Sequence, residues 1–189
     1  VNVIEILPGG VVTKKATTHI RLDENGEFVR NPEEDLVKVA VVERHQGTGN
    51  VACGFLKGYG IKEGAVALSV AHDSHNIIVV GVNDEEMEFA VNSLIEQEGG
   101  IVLVKDKKVI EQMPMPIAGL MSDQSGEWVD EKLTCIHEKA YTELGICGDV
   151  EPVMTLCFMS LAVIPEIKLT DMGLFDVTTF SFIPVEISR

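Results

Sequence analysis

Five consecutive polar residues, His72-Asp73-Ser74-His75-Asn76, hold the densest chemistry in the chain. Two imidazoles and a carboxylate could ligate a metal ion or move protons as general acid and base. Glu43, His45 or Asp171 are the further groups such a site could recruit. Burying this much hydrogen-bonding capacity without partners costs about 1 to 3 kcal/mol per group, so its partners matter. Side chains alternate along a strand, and a strand through 72–76 would send His72 and His75 to opposite faces. Only a turn or bulge brings the two rings together. A second reading stands beside the first: a polar hairpin loop in which Asp73, Ser74 and Asn76 cap backbone amides.

A second polar group follows the valine-rich segment Leu36 to Glu43. Arg44, His45, Gln46, Gly47, Thr48, Gly49 and Asn50 form a loop at a strand end, a common place for binding groups. The alternative is a solvated loop with an ordinary Glu43 and Arg44 pair. Gly54, Gly58, Gly60 and Gly64 do not match a phosphate-binding spacing, and they are read as positions of positive φ or close packing. H-x-E with P-C-x-x-C, H-E-x-x-H and G-x-S-x-G are all missing from the sequence.

The elements that would position these residues read as follows. Val1 to Leu7 is a strand stopped by Pro8-Gly9-Gly10, and Thr17 to Leu22 is a second strand before an Asn25-Gly26 turn. Ala65 to Ala71 and Ile77 to Val80, apolar and bounded by Gly64 and Gly81, are buried strands on either side of the polar five. A helix N-capped by Asp84 runs to Gly99-Gly100. Ile101 to Lys105 and Lys108 to Met113 form a hairpin over Asp106-Lys107. Helices follow over Trp128 to Leu144 and Val153 to Ala162, then a loop over Leu169 to Asp176 and a closing strand over Val177 to Ile187. The expected architecture is α+β (mixed α/β): a mixed β-sheet packed with three or so helices in a single domain spanning 1–189.

Composition narrows the function classes. With 15 basic against 30 acidic residues and a net charge of -15, the chain has no basic stripe for nucleic acid or an acidic membrane. Its longest apolar runs are too short to span a bilayer. Cys53, Cys135, Cys147 and Cys157 lack C-x-x-C spacing and read as reduced, partly buried thiols, and the cytoplasm is the expected compartment.

Several stretches together resemble a known family. Arg44-His45-Gln46-Gly47-Thr48-Gly49-Asn50, Gly54-Phe55-Leu56-Lys57-Gly58-Tyr59-Gly60, Ala71 to Asn76, Gly119-Leu120-Met121-Ser122 and Val163 to Asp171 resemble the C-terminal domain of bacterial and archaeal adenine deaminases, in the amidohydrolase superfamily. Gln46 and Val153 depart from that pattern. The resemblance implies a parent enzyme that hydrolyses adenine to hypoxanthine and ammonia with a divalent metal (Mn, Fe or Zn). It also implies a metal-binding (β/α)8 barrel, which needs roughly 200 residues of its own and is not within this chain. None of His19, His45, His72, His75 and His137 forms the His-x-His pair that opens that family's metal centre, so no metal ligand carries over. The implied role is an accessory domain without turnover of its own. It packs on the barrel of the same protein, in a homo-oligomeric enzyme, and presents His72, Asp73, Ser74, His75 and Asn76, with Arg44 and His45, to the active-site mouth or a subunit contact. The other class of function is a free-standing purine-binding or oligomerisation module without catalysis.

Overall fold

Runs of Val, Ile and Leu with little room for polar residues make strands buried on both faces, and they form the centre of this molecule. The computed structural model describes residues 1–7, 9 and 11–187. The elements are β1 (Asn2–Ile6), β2 (Thr13–Thr17), β3 (Arg21–Leu22), β4 (Phe28–Val29), β5 (Leu36–Val42), β6 (Val51–Lys57), β7 (Ala65–Leu68) and β8 (Ile77–Gly81). They continue with α1 (Asp84–Glu96), β9 (Gly100–Lys105), β10 (Lys108–Pro114), α2 (Gly126–Thr142), α3 (Pro152–Cys157), β11 (Ile167–Thr170), β12 (Gly173–Asp176) and β13 (Ser181–Phe182). Eight strands form one mixed sheet in the order β10-β9-β7-β8-β5-β6-β1-β2, in which β1 and β6 run parallel and the other pairs antiparallel.

The sheet is the middle layer of three. On one face α1 seals Ala65, Ala67, Val79, Val102 and Val104 with Met87, Ala90 and Leu94. On the other lie α2, α3 and the three-stranded sheet β11-β12-β13, enclosing Val37, Val39, Val66, Val80 and Leu103. Gly64 lets β7 come close to β9: a Cβ there would stand 1.9 Å from the Val104 carbonyl oxygen. Glu111 ties α2 to the β10 edge. Burial would push its carboxyl up, but hydrogen bonds from Lys132 at 2.8 Å and Lys139 at 3.0 Å hold it down at about 2. The single α+β domain with a mixed sheet and three helices is as expected.

Several local expectations are corrected. β6 falls where only glycine positions were read: Gly58, Gly60 and Gly64 do take positive φ, and Gly54 lies within the strand, where a Cβ would stand 3.5 Å from the Leu169 side chain. The strand expected over Thr17 to Leu22 is split between β2 and the small β3-β4 ribbon, while Asn25-Gly26 does turn the chain. The Pro8-Gly9-Gly10 stop includes Pro8 and Gly10, which lie outside the described residues. The N-cap of α1 is Asn83, whose side chain accepts from the Glu86 amide at 2.8 Å, rather than Asp84.

α3 ends at Cys157 instead of Ala162. The carbonyls of Cys157 and Met159 accept from His72 and Leu169, at 3.0 Å each, so tertiary partners replace helical ones. The expected loop over Leu169 to Asp176 is the β11-β12 hairpin, and of the expected closing strand only Ser181–Phe182 pairs. Cys53, Cys135 and Cys147 are exposed rather than partly buried, and all four thiols are free.

Candidate functional site

Residues 72–76 do not continue a strand. The chain leaves β7, and the His75 amide returns to the Ala71 carbonyl at 2.7 Å, closing a tight turn before β8. His75 completes it in the left-handed region at φ 52°. The turn brings His72 and His75 together, edge to face with ring centroids 5.4 Å apart. His72 lies 4.8 Å from the ring of Phe158, just beyond α3, and its backbone is held by Cys157 and by the Ser160 hydroxyl at 3.3 Å. Asn76 is buried and its Oδ1 accepts from the Arg44 amide at 3.3 Å, so the capping role holds for this residue. Asp73 and Ser74 are exposed, and the Asp73 carboxylate stands 3.9 Å from His72 Nδ1.

Arg44 connects this turn to a third loop. Its Nε donates to the His75 carbonyl at 2.6 Å and one terminal nitrogen donates to the Ala118 carbonyl at 2.8 Å. The next residue is Gly119, with φ 73°, where a Cβ would meet the guanidinium at 2.9 Å. Ser69 fixes the far side of that loop, donating to Gly119 O at 2.5 Å and accepting from Gly100 N at 2.8 Å. His45 Nε2 lies 2.7 Å from Ser74 O. The expected Glu43 and Arg44 pair does not form. Glu43 instead accepts from the backbone of His45, Gln46 and Thr48, and these bonds, led by the Thr48 amide, hold its carboxyl down at about 2.

The seven residues singled out in sequence, His72 to Asn76 with Arg44 and His45, therefore share one rim at the ends of β5, β7 and β8. Ser69, Ala118 and Phe158 complete it. Gly119-Leu120-Met121-Ser122 marked the third loop, but no sequence signal pointed to Phe158. His75 is the electrostatic centre: burial lowers its pKa, aided by the positive charges of His72, Arg44 and His45, while Asp73 pulls the other way. Its Nδ1 is enclosed with no hydrogen-bond partner among the described residues.

A catalytic metal does not fit these donors. Glu43 is committed to its own loop, Asp171 sits in the turn between β11 and β12, and no group of three His, Cys, Asp or Glu side chains among the described residues could hold an ion. The rim can hydrogen-bond and stack, and it can exchange a proton through imidazole.

Fold and rim together define a mixed-sheet α+β domain with a polar edge formed by three loops. The profile of the adenine deaminase C-terminal domain matches residues 10–181, and the chain belongs to that family. It is 69% identical over 185 residues to adenine deaminase 2 of Desulfotalea psychrophila. It is 49% identical over 187 residues to the adenine deaminase of Ligilactobacillus salivarius and 44% over 186 residues to that of Bacillus subtilis. These alignments take in 98%, 99% and 98% of this chain but 32% of each relative, so the chain spans about a third of their length.

Proposed function

We propose that this chain is the C-terminal part of an adenine deaminase, a cytoplasmic amidohydrolase-superfamily hydrolase that converts adenine and water to hypoxanthine and ammonia in purine salvage. In this reading a barrel in the remaining length of the polypeptide holds the divalent metal (Mn, Fe or Zn) and performs the hydrolysis. This chain holds no metal, packs on that barrel within a homo-oligomer, and has no role with nucleic acid or membrane. Among the described residues no helix is long and apolar enough to cross a membrane. Its own contribution is to set His72, His75 and His45 at the active-site mouth.

The observation that carries this role is the use of Arg44. Its guanidinium binds the carbonyls of two separate loops, while the imidazoles beside it remain partly exposed and one ring nitrogen of His75 has no partner among the described residues. A polar network that served stability alone would satisfy its own members.

The test is made in the full-length enzyme with His72→Ala and His75→Ala separately. Each is expected to lower kcat/KM about tenfold or more, the equivalent of about 1.4 kcal/mol of transition-state stabilisation, with a smaller change in melting temperature. Loss confined to thermal stability would remove the rim from function. This chain alone, supplied with Mn2+, Fe2+ or Zn2+, is expected not to deaminate adenine. Turnover by it would overturn the division of labour, and calorimetric binding of adenine without turnover would favour a separate binding module.

A further inference from the structure

The α1-side face of the large sheet is covered at both ends and open between them. α1 lies over β7, β8 and β9. The β3-β4 ribbon covers β1 and β6 through Phe28, whose ring meets Phe55 edge to face at 5.0 Å. In the gap, Val51 is 55% exposed, Cys53 is exposed and Val42 is half-buried. Two open grooves of about 370 and 500 Å3 meet here, with Lys38 and Cys53 in the walls of both. The floor is apolar and the edges are acidic: Asp84 and Glu88 on one side, Glu27 and Glu186 on the other. Lys38 does not offset those edges for a ligand, because Asp84 at 2.7 Å and Glu27 at 4.0 Å already neutralise it. An open β-branched sheet face of this kind marks a contact surface.

We propose that the groove seats another part of the same polypeptide, an apolar segment with Lys or Arg at its flanks, from the length of the deaminase that this chain does not span. This rests on reading the chain as one domain of a longer enzyme. Linkage and charge favour that occupant over a second copy. A segment of the same polypeptide docks intramolecularly, with an effective concentration on the order of millimolar, so a modest apolar area is enough. Two identical copies meeting through this face would instead bring acidic edge against acidic edge, which is repulsive.

Cys53 reports on the groove directly. The native full-length enzyme is treated with N-ethylmaleimide and labelling is read at each cysteine by peptide mass spectrometry. Cys53 is expected to be protected in the wild type. In Val51→Lys, where a charge on the groove floor prevents docking, it is expected to label about tenfold or more faster, since only the covered thiol gains access. Comparing the same thiol in both proteins cancels its intrinsic reactivity. Buried Cys157 is the folding control and stays unlabelled in both; should it react in Val51→Lys, the milder Val51→Ser is read instead. Equal labelling of Cys53 in wild type and variant overturns the proposal. Protection that disappears on dilution overturns it in favour of a second copy. Turnover of the His72 and His75 variants is a separate readout, so rim and groove can fail independently.

Discussion

His75 sits in a left-handed conformation between Arg44 and His72, and its burial there lowers the pKa of the ring below the ordinary 6.5. His72, Arg44 and His45 deepen the shift and Asp73 opposes it. For a base whose pKa is lower in the folded state, the unfolded chain binds the proton first as the solution is acidified. Stability from this group is therefore complete above about pH 6.5 and is lost as the pH falls below that value. Urea midpoints of the wild type are expected to drop between pH 7.5 and pH 5.5, and by clearly less in His75→Gln. Parallel pH profiles for the two proteins would show that the ring titrates as it does in the unfolded chain. The same neutral imidazole is the form able to accept a proton at neutral pH, which links the energetics of the residue to its proposed place at the rim.

At the scale of elements, the β11-β12 hairpin shows how the fold tolerates a poor local choice. Ile167 and Leu169 point into the core as a strand period requires, but Lys168 between them is fully buried. Its ammonium donates to the Val11 carbonyl at 2.9 Å, and burial pushes its pKa down to about 8. Both states are protonated at pH 7, and the folded state holds the proton less well, so the charge destabilises the native hairpin. That cost is complete below about pH 8 and fades as the pH rises toward 10.5. Lys168→Met is expected to raise stability at pH 7 by about 1 to 2 kcal/mol after loss of the hydrogen bond to Val11, with the gain shrinking near pH 10. Guanidinium melts at the two pH values check this, and a variant less stable than wild type at pH 7 would show that the bond outweighs the desolvation.

For the molecule as a whole, an excess of acidic over basic residues gives a net charge of -15, and much of it lies on α1, α2 and the groove edges. Self-repulsion at this charge destabilises the compact state, and salt screens it. The melting temperature is expected to rise by about 2 to 5 °C between 20 mM and 300 mM NaCl, because a gain of about 1 kcal/mol moves a domain of this size by a few degrees. A flat or falling melting temperature would mean that ion pairs such as Lys132 and Lys139 with Glu111 outweigh the general repulsion. The three layers also explain why the rim can be rigid while standing at an edge. The turn and the Arg44 loop hang from β7, β8 and β5, which are buried on both faces, the Gly119 loop follows the edge strand β10, and hydrogen bonds between the loops do the rest.

Sequence by itself determined β5, β7, β8 and β9 and the two long helices, because a buried apolar run and a helical apolar stripe are local patterns that solvent exclusion enforces wherever they occur, whereas β6, half exposed and interrupted by Gly54, carries no such run. Family membership was legible for a similar reason, since the motifs around Arg44, His72, Gly119 and Ile167 lie at fixed places in the chain. Tertiary structure alone decided that Glu43 serves its own loop instead of Arg44, that α3 stops where His72 and Leu169 take its carbonyls, and that Lys168 lies inside a hairpin. It also decided that the two histidines face each other. Lys168 bonds Val11, 157 positions away, and His72 is held beside α3 by Ser160, 88 positions away, and such partners leave no periodicity to read; Glu43 and the two histidines find theirs within their own turns, whose geometry only the folded loops fix.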